Sequence, residues 1–268
     1  MTAAVNAHAH SDRKVSVIFW VLLAVMATSG WSLWAGKGNA NMGVLLFVIS
    51  GWLVSLCLHE FAHARTAMFG GDITVGAKGY LTLNPLKYTH PLYSIILPVV
   101  FIFLGGIALP GGAVFIERGR IGARWKHSLV SASGPMVNAV FALGLLIALA
   151  LAPTDMTRGE FNFWGAVGYL AMLEVMATLL NLVPMPGLDG YGIVEPYLAP
   201  ATRRSLANIA PYGMMIVFLL LFNSTVNSWF YNLIARIMEP FGYAPYLAYH
   251  GYDLFHFFHF SLGGFGTG

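Results

Sequence analysis

The sequence predicts an all-α polytopic membrane protein with five to six transmembrane helices and one re-entrant segment. Of its 268 residues, 57% are hydrophobic and only 9% are charged, whereas about a quarter of the residues in a soluble domain are charged. The mean hydropathy is +0.70. Short segments separate six apolar stretches and leave no room for a soluble domain; the stretches are 16–35, 43–64, 92–109, 128–152, 162–183 and 211–236.

The two ends of the chain differ from this apolar middle. A polar tail ends in Arg13 and Lys14, and no small-residue cleavage signal follows the first apolar stretch. We therefore expect a retained first span and not a removed signal peptide. The other end is rich in aromatic residues and glycine, which is typical of an interfacial belt. The predicted organisation is a cytoplasmic N-terminal tail (1–15), a transmembrane domain (16–240) that holds every motif discussed below, and an aromatic C-terminal tail (241–268).

The second stretch ends in the pattern His59-Glu60-Phe61-Ala62-His63. On a helix, residues i and i+4 lie on one face, so both imidazoles can bind one Zn²⁺ while Glu60 acts on the attacking water. Ionisable side chains inside a bilayer are costly and usually mark function, which disfavours three polar residues that merely end a helix at the interface. The single cysteine in the chain excludes an internal disulfide. The pattern predicts a zinc hydrolase within a membrane.

A catalytic zinc takes three protein ligands and keeps a fourth position open. The fifth stretch runs into residues 181–190, where two prolines and two glycines unwind the helix. Unwound backbone at membrane depth is tolerated where it is buried in protein or lines a wet cavity. Asp189 lies in this segment and is the predicted third ligand; the alternative is a capping or turn aspartate. We expect one zinc per chain, bound by His59, His63 and Asp189.

Two further motifs follow the histidine pattern, Ser133-Gly134-Pro135-x-x-Asn138 and Asn181-x-x-Pro184-x-x-x-Leu188-Asp189-Gly190. In this order the three motifs resemble the signatures of the site-2 protease family of intramembrane zinc metallopeptidases, over residues 43–222. The run 81–86 resembles the compact bacterial members, and no regulatory PDZ or CBS domain is visible. Tyr191 departs from the family, which often has a second glycine there, and we expect this change to be tolerated.

The resemblance implies a zinc metalloendopeptidase that hydrolyses peptide bonds in or near transmembrane segments, with Glu60 as the general base. It also places Asn138 and Asn181 close to the metal. Asn181 is the better candidate for an amide donor to the developing oxyanion, although a helix-ending asparagine fits equally well. Pro135 suits the first position of a helix, which would put Asn138 in the first turn. Glu174 lies two turns before Asn181 and is predicted to be a protonated packing residue more than a group that hydrates the cavity.

The segment 72–84 carries strand-forming residues that are interrupted by Gly76 and Gly79. This pattern suggests a short membrane-associated β-hairpin, and an ordinary interfacial loop is equally compatible with it. A hairpin would offer an edge to an extended peptide by strand addition.

Two independent arguments predict the topology. Both metal motifs end their helices, so these helices should be parallel and an odd number of spans should separate them. Because 92–109 is short and interrupted by proline and glycine, it is predicted to re-enter and not to cross. Residues 65–127 then collect on one side, which holds eleven of the fourteen basic residues: Arg13, Lys14, Arg65, Lys78, Lys87, Arg118, Arg120, Arg124, Lys126, Arg203 and Arg204. That side should be the cytoplasm, and the active site should open toward it.

The predicted partners are the lipid bilayer and a membrane-protein substrate with a transmembrane segment; the net charge of +3 reflects topology and not nucleic-acid binding. Two other classes of protein remain possible at this stage. A membrane transporter also uses broken helices and buried charge, but transport does not need Glu60. A catalytically inactive metal-binding pseudoprotease would not need an intact Glu60 either.

Overall fold

The computed structural model describes residues 14–87 and 114–257. Within these ranges the chain is largely helical and has no strand. The α-helices of this part are numbered α1 to α10 in chain order and are Val17–Trp34, Ala40–Gly70, Thr74–Ala77, Arg124–Ala150, Arg158–Asn181, Asp189–Val194, Pro200–Ala207, Gly213–Leu221, Ser224–Met238 and Ala244–Phe255.

Four helices of the described part, α1, α2, α4 and α5, are long and apolar enough to cross a membrane, and the bent pair Pro200–Ala207 and Ala210–Leu221 can form a fifth span. The stretch 92–109, predicted to re-enter, lies outside the described residues. The apolar stretch 211–236 is two helices and not one. Asn223 separates them, because its Oδ1 accepts from the Thr225 N–H (3.1 Å) and so caps the start of α9.

The long helix α2 lies at the centre, with α1, α4 and α5 packed around it. Asn39 caps its first turn by accepting from the Met42 N–H (3.1 Å), and Gly71 ends it with a φ of 126°. Its 31 residues extend about 46 Å at about 1.5 Å per residue, which exceeds a hydrocarbon core of about 30 Å. The His59 motif lies in the C-terminal half of α2, toward one side of the membrane.

Helix α5 is enclosed by the rest of the protein, and 72% of its apolar 18-residue stretch is buried. Small residues in α5 allow α10 to pack directly on its backbone. A Cβ at Gly168 would lie 2.7 Å from the Ala248 nitrogen, which is closer than real contacts. Close approach through small residues is a common way for membrane helices to associate. The predicted aromatic tail, 241–268, is described as far as residue 257, and there α10 buries Leu247 and Phe255 in the core.

The predicted β-hairpin at 72–84 is wrong. This segment forms the short helix α3 and a 3₁₀ turn at Tyr80–Thr82. The buried Asp72 explains the helical turn, because its Oδ1 accepts from the N–H (3.0 Å) and the hydroxyl (2.6 Å) of Thr74. Gly79 (φ 75°) and Leu83 (φ 55°) then adopt left-handed conformations that an extended strand cannot contain.

The prediction that a helix begins at Pro135 is also wrong. Helix α4 begins at Arg124, and Pro135 lies inside it. Proline within a helix lacks an N–H and removes one backbone bond, a loss that transmembrane helices tolerate when neighbouring groups compensate. Asn138 is therefore in the middle of α4 and not in a first turn, at the depth of the histidines of α2.

Candidate metal centre

The structure brings the three predicted metal ligands together at the meeting point of α2 and α6. The Nε2 atoms of His59 and His63 are 3.0 Å apart. Oδ2 of Asp189 lies 3.3 Å from the first and 3.2 Å from the second. These three ligand atoms all lie within 4.8 Å of one another, so together they can hold a metal ion.

The hydrogen bonds on the far side of each imidazole fit a metal site. Nδ1 of His59 contacts Oδ1 of Asn138 (2.5 Å), and Nδ1 of His63 contacts the carbonyl oxygen of Val130 (2.7 Å). Both of these oxygens are acceptors, so each Nδ1 carries the proton and donates it. Each Nε2 is then left with a lone pair directed at the centre, which is the arrangement that metal-binding histidines require. Two imidazoles and one carboxylate are a donor set typical of catalytic zinc.

Asp189 reaches the histidines because glycines allow α6 to fold back on the end of α5. Gly187 has a φ of 96°, which favours glycine. A Cβ at Gly190 would collide with the carbonyl of Leu182, so a larger residue there would push α6 away. The unwound segment predicted from its prolines and glycines thus places Asp189 as the first residue of α6.

The carboxylate of Glu60 is almost fully buried and faces the same centre. Its Oε2 accepts from the backbone N–H of Val114 (3.0 Å). The segment 114–117 that carries this N–H is anchored by Asp72, whose Oδ2 accepts from the Glu117 N–H (2.7 Å). Sequence analysis did not identify Asp72 as part of the site. The Asp-x-Thr pattern at 72–74 was a signal for a local turn, but not for the contact with a segment 45 residues away.

A cavity of about 320 Å³ adjoins the ligands, and its walls include His59, Glu60, His63, Asn181 and Asp189. It meets a second cavity of about 410 Å³ that shares Arg118 and Asp189 with it. Arg118 forms an ion pair with Glu195 at this junction. The second cavity thus brings a partly exposed ion pair next to the ligands.

The two predicted asparagines occupy different places. Asn181 lines the cavity. Asn138 does not face the cavity but lies behind His59, where its Nδ2 donates to Glu174 Oε2 (2.8 Å) and to Ser55 Oγ (3.1 Å). Glu174, predicted as a packing residue, is fully buried and takes part in this polar cluster. Ser55 was missed, and its serine type in an apolar helix was the only signal for it.

Comparison with known proteins found similar sequences but no matching family model and no solved structure with a significant match. A Mycolicibacterium smegmatis protein named as the zinc metalloprotease Rip2 is 45% identical over 248 residues, which cover 91% of this chain and 94% of that protein. The Mycobacterium tuberculosis protein of the same name is 42% identical over 88% of this chain and 91% of its own length. A Bacillus subtilis protein named as the zinc metalloprotease YwhC is 31% identical over 70% of this chain and 85% of its own length.

Proposed function

The chain belongs to the site-2 protease family of intramembrane zinc metallopeptidases, and on that premise we propose how its residues carry out peptide-bond hydrolysis. His59, His63 and Asp189 hold the zinc, and Glu60 is the general base. The observation that carries this proposal is the convergence of the three ligand atoms beside the Glu60 carboxylate, in one cavity between membrane-spanning helices.

Zinc, when bound, lowers the pKa of its water and polarises the scissile carbonyl. Glu60 takes the proton of the attacking water and returns it to the leaving amine. The Val114 N–H holds one oxygen of Glu60 (3.0 Å) and so orients the carboxylate toward the cavity. Asn181 also lines the cavity and donates its side-chain amide to the oxygen that develops negative charge.

The substrate is a membrane protein with a transmembrane segment that unwinds before cleavage, because a helix hides its own peptide bonds. The segment 114–117 lies beside Glu60, and we expect an unwound chain to bind along this wall. Neither a transporter nor an inactive metal-binding relic gives a reason for a buried carboxylate at the position of Glu60, and no other feature of the described residues favours them.

The active site opens toward the cytoplasm. The end of α2 and the start of α4 lie on the same side of the membrane, since a Cβ at Gly70 would lie 3.3 Å from the Ile121 side chain. Both ends of the intervening segment are therefore on one side; residues 92–109 lie outside the described part, and their re-entrant path stays a prediction. The Ser16 N–H donates to the Thr82 carbonyl (2.8 Å), so the start of α1 is on this basic side too. The positive-inside rule assigns that side to the cytoplasm.

Zinc content tests the ligands. We expect one zinc per chain in the purified parent and a sharp loss of occupancy in His59→Ala, His63→Ala and Asp189→Ala, because a catalytic site has three protein ligands. Thr178→Val is a control in α5, since its hydroxyl bonds only to the Glu174 carbonyl of its own helix (2.8 Å). Full occupancy in the Asp189 variant would remove it from the ligand set.

Glu60→Gln tests the general base separately from the metal. Glutamine keeps the shape of the side chain but cannot accept the proton of water, so the variant should retain zinc and lose roughly 10²- to 10⁴-fold in rate. Cleavage of a membrane-spanning reporter and zinc per chain are measured on the same preparation. Cleavage near the parent rate would contradict the general-base role, and loss of zinc would make Glu60 a ligand or a structural group.

A further inference from the structure

A buried polar cluster lies behind the metal centre, where α2, α4 and α5 meet. It consists of Ser55, Asn138 and Glu174, with 1%, 5% and 0% of their surfaces exposed. Glu174 Oε2 accepts from Asn138 Nδ2 (2.8 Å) and from the Ser55 hydroxyl (2.7 Å). The other carboxyl oxygen, Oε1, has no hydrogen-bond partner among the described residues. A carboxyl group so deep between membrane helices is costly, and packing alone does not require one.

The cluster determines which end of the Asn138 amide faces His59. An asparagine amide has an accepting end and a donating end of nearly the same shape. Here Oδ1 faces Nδ1 of His59 (2.5 Å) and Nδ2 faces Glu174. A reversed amide would present a donor to Nδ1, which would have to give up its proton and leave the neutral ring protonated on Nε2. A protonated Nε2 cannot bind a metal.

Glu174 is the group that distinguishes the two orientations. The Ser55 hydroxyl can either donate or accept, so it pairs with both ends of the amide and selects neither. The carboxyl oxygen of Glu174 already accepts from Ser55 (2.7 Å), and it offers an acceptor to the asparagine. It therefore pairs with Nδ2 and repels Oδ1.

We propose that Glu174 is a positioning residue for the zinc site, acting through the Asn138 amide on the tautomer and orientation of His59. This inference rests on the proposed zinc ligands. Glu174 itself touches neither the three ligands nor the cavity, and its role is to keep the proton of His59 on Nδ1. Supporting groups of this kind typically change metal affinity 10- to 100-fold when they are removed.

The affinity of the purified full-length protein for Zn²⁺, measured by competition with a chelator, tests the proposal together with the visible spectrum of the Co²⁺-substituted protein. Glu174→Met removes the acceptor and should weaken Zn²⁺ binding about 10- to 100-fold and alter the Co²⁺ spectrum. Glu174→Gln keeps an accepting oxygen for Asn138 and should restore both readouts to within about threefold of the parent. Equal loss in the two variants, or none in Glu174→Met, would overturn the proposal.

A double-mutant cycle separates positioning from a general structural effect. Asn138→Leu should weaken Zn²⁺ binding to a similar degree, and adding Glu174→Met to it should change the affinity by no more than about twofold, because the intermediary is already gone. Effects that multiply would show that Glu174 acts independently of Asn138 and would overturn the proposal.

If Glu174→Met does not fold, Glu174→Gln and Ser55→Ala provide the test, because both keep an acceptor for Asn138. Zn²⁺ affinity in each should stay within about threefold of the parent; a larger loss contradicts the inference. A parent protein whose Zn²⁺ binding does not depend on His59 would instead refute the proposed function.

Discussion

Gly134 is the position at which one added methyl group should do the most damage to the metal centre. In Gly134→Ala the new Cβ would lie 2.6 Å from both Cε1 and Nε2 of His59, and even closer to Nε2 of His63. Ordinary contacts begin at about 3.4 Å, so the His59 ring would have to retreat by about 0.8 Å. Zinc sites tolerate errors of about 0.2 Å in ligand distance, so the retreat is about four times the tolerance.

The expected effect is a loss of about 10²-fold in cleavage, which is the typical cost of a misplacement near 1 Å and corresponds to about 2.7 kcal/mol. Zinc occupancy should fall with it. Gly144→Ala is the matched control: it is in the same helix α4, and a Cβ there meets nothing within 4 Å. Both substitutions raise helix propensity by the same amount, about 1 kcal/mol, so the comparison removes that contribution.

The assay is cleavage of a membrane-spanning reporter by each variant in liposomes, with zinc per chain measured on the same preparations. The reasoning would be refuted if Gly134→Ala cleaved as fast as Gly144→Ala and held a full zinc. It would also be refuted if both variants lost activity together, because then contact with the imidazoles would not be the cause.

Two other predictions concern the membrane topology and the segment 114–117 beside the Glu60 carboxylate. Cysteines introduced at Lys78 and Arg120 in a Cys57→Ser background should both resist a membrane-impermeant thiol reagent added outside intact cells; labelling of only one would mean that the chain crosses between them. Asp72→Asn places an amide nitrogen where the carboxylate now accepts a backbone N–H (2.7 Å), a bond to charge worth about 1.5–3 kcal/mol. Cleavage should fall roughly tenfold with zinc content unchanged, whereas the exposed Asp155→Asn should have no effect; equal loss of zinc would contradict the assigned role.

The features of the site that depend on helical periodicity and on chain-breaking residues were predicted from the sequence alone. The spacing of His59 and His63 places both on one helix face, and the prolines and glycines of 181–190 indicate an unwound segment that carries Asp189. The structure brings these three side chains together. Both inferences succeeded in locating side chains because they rely on local geometry that the surrounding fold does not override.

What the sequence missed depends on contacts between distant parts of the chain. The sequence predicted a helix start at Pro135, but α4 continues through it, which transmembrane helices tolerate where neighbouring groups compensate. The hairpin predicted at 72–84 is wrong because Asp72 accepts from Thr74 in a local turn before α3 and also from the Glu117 N–H, far along the chain. The acceptor for His63 is the backbone carbonyl of Val130, and every residue has such a carbonyl, so no side chain could reveal it.

The order in which the parts of the metal centre appear along the chain has a consequence for biogenesis. During synthesis, α2 with His59 and His63 precedes α4, which carries their Nδ1 partners, and the carboxylate of Asp189 follows after α5. On the proposed ligand set, a partly synthesised chain carries the two imidazoles without these partners and without the third ligand. We therefore expect zinc to be held for catalysis only after α4 and α6 have packed against α2.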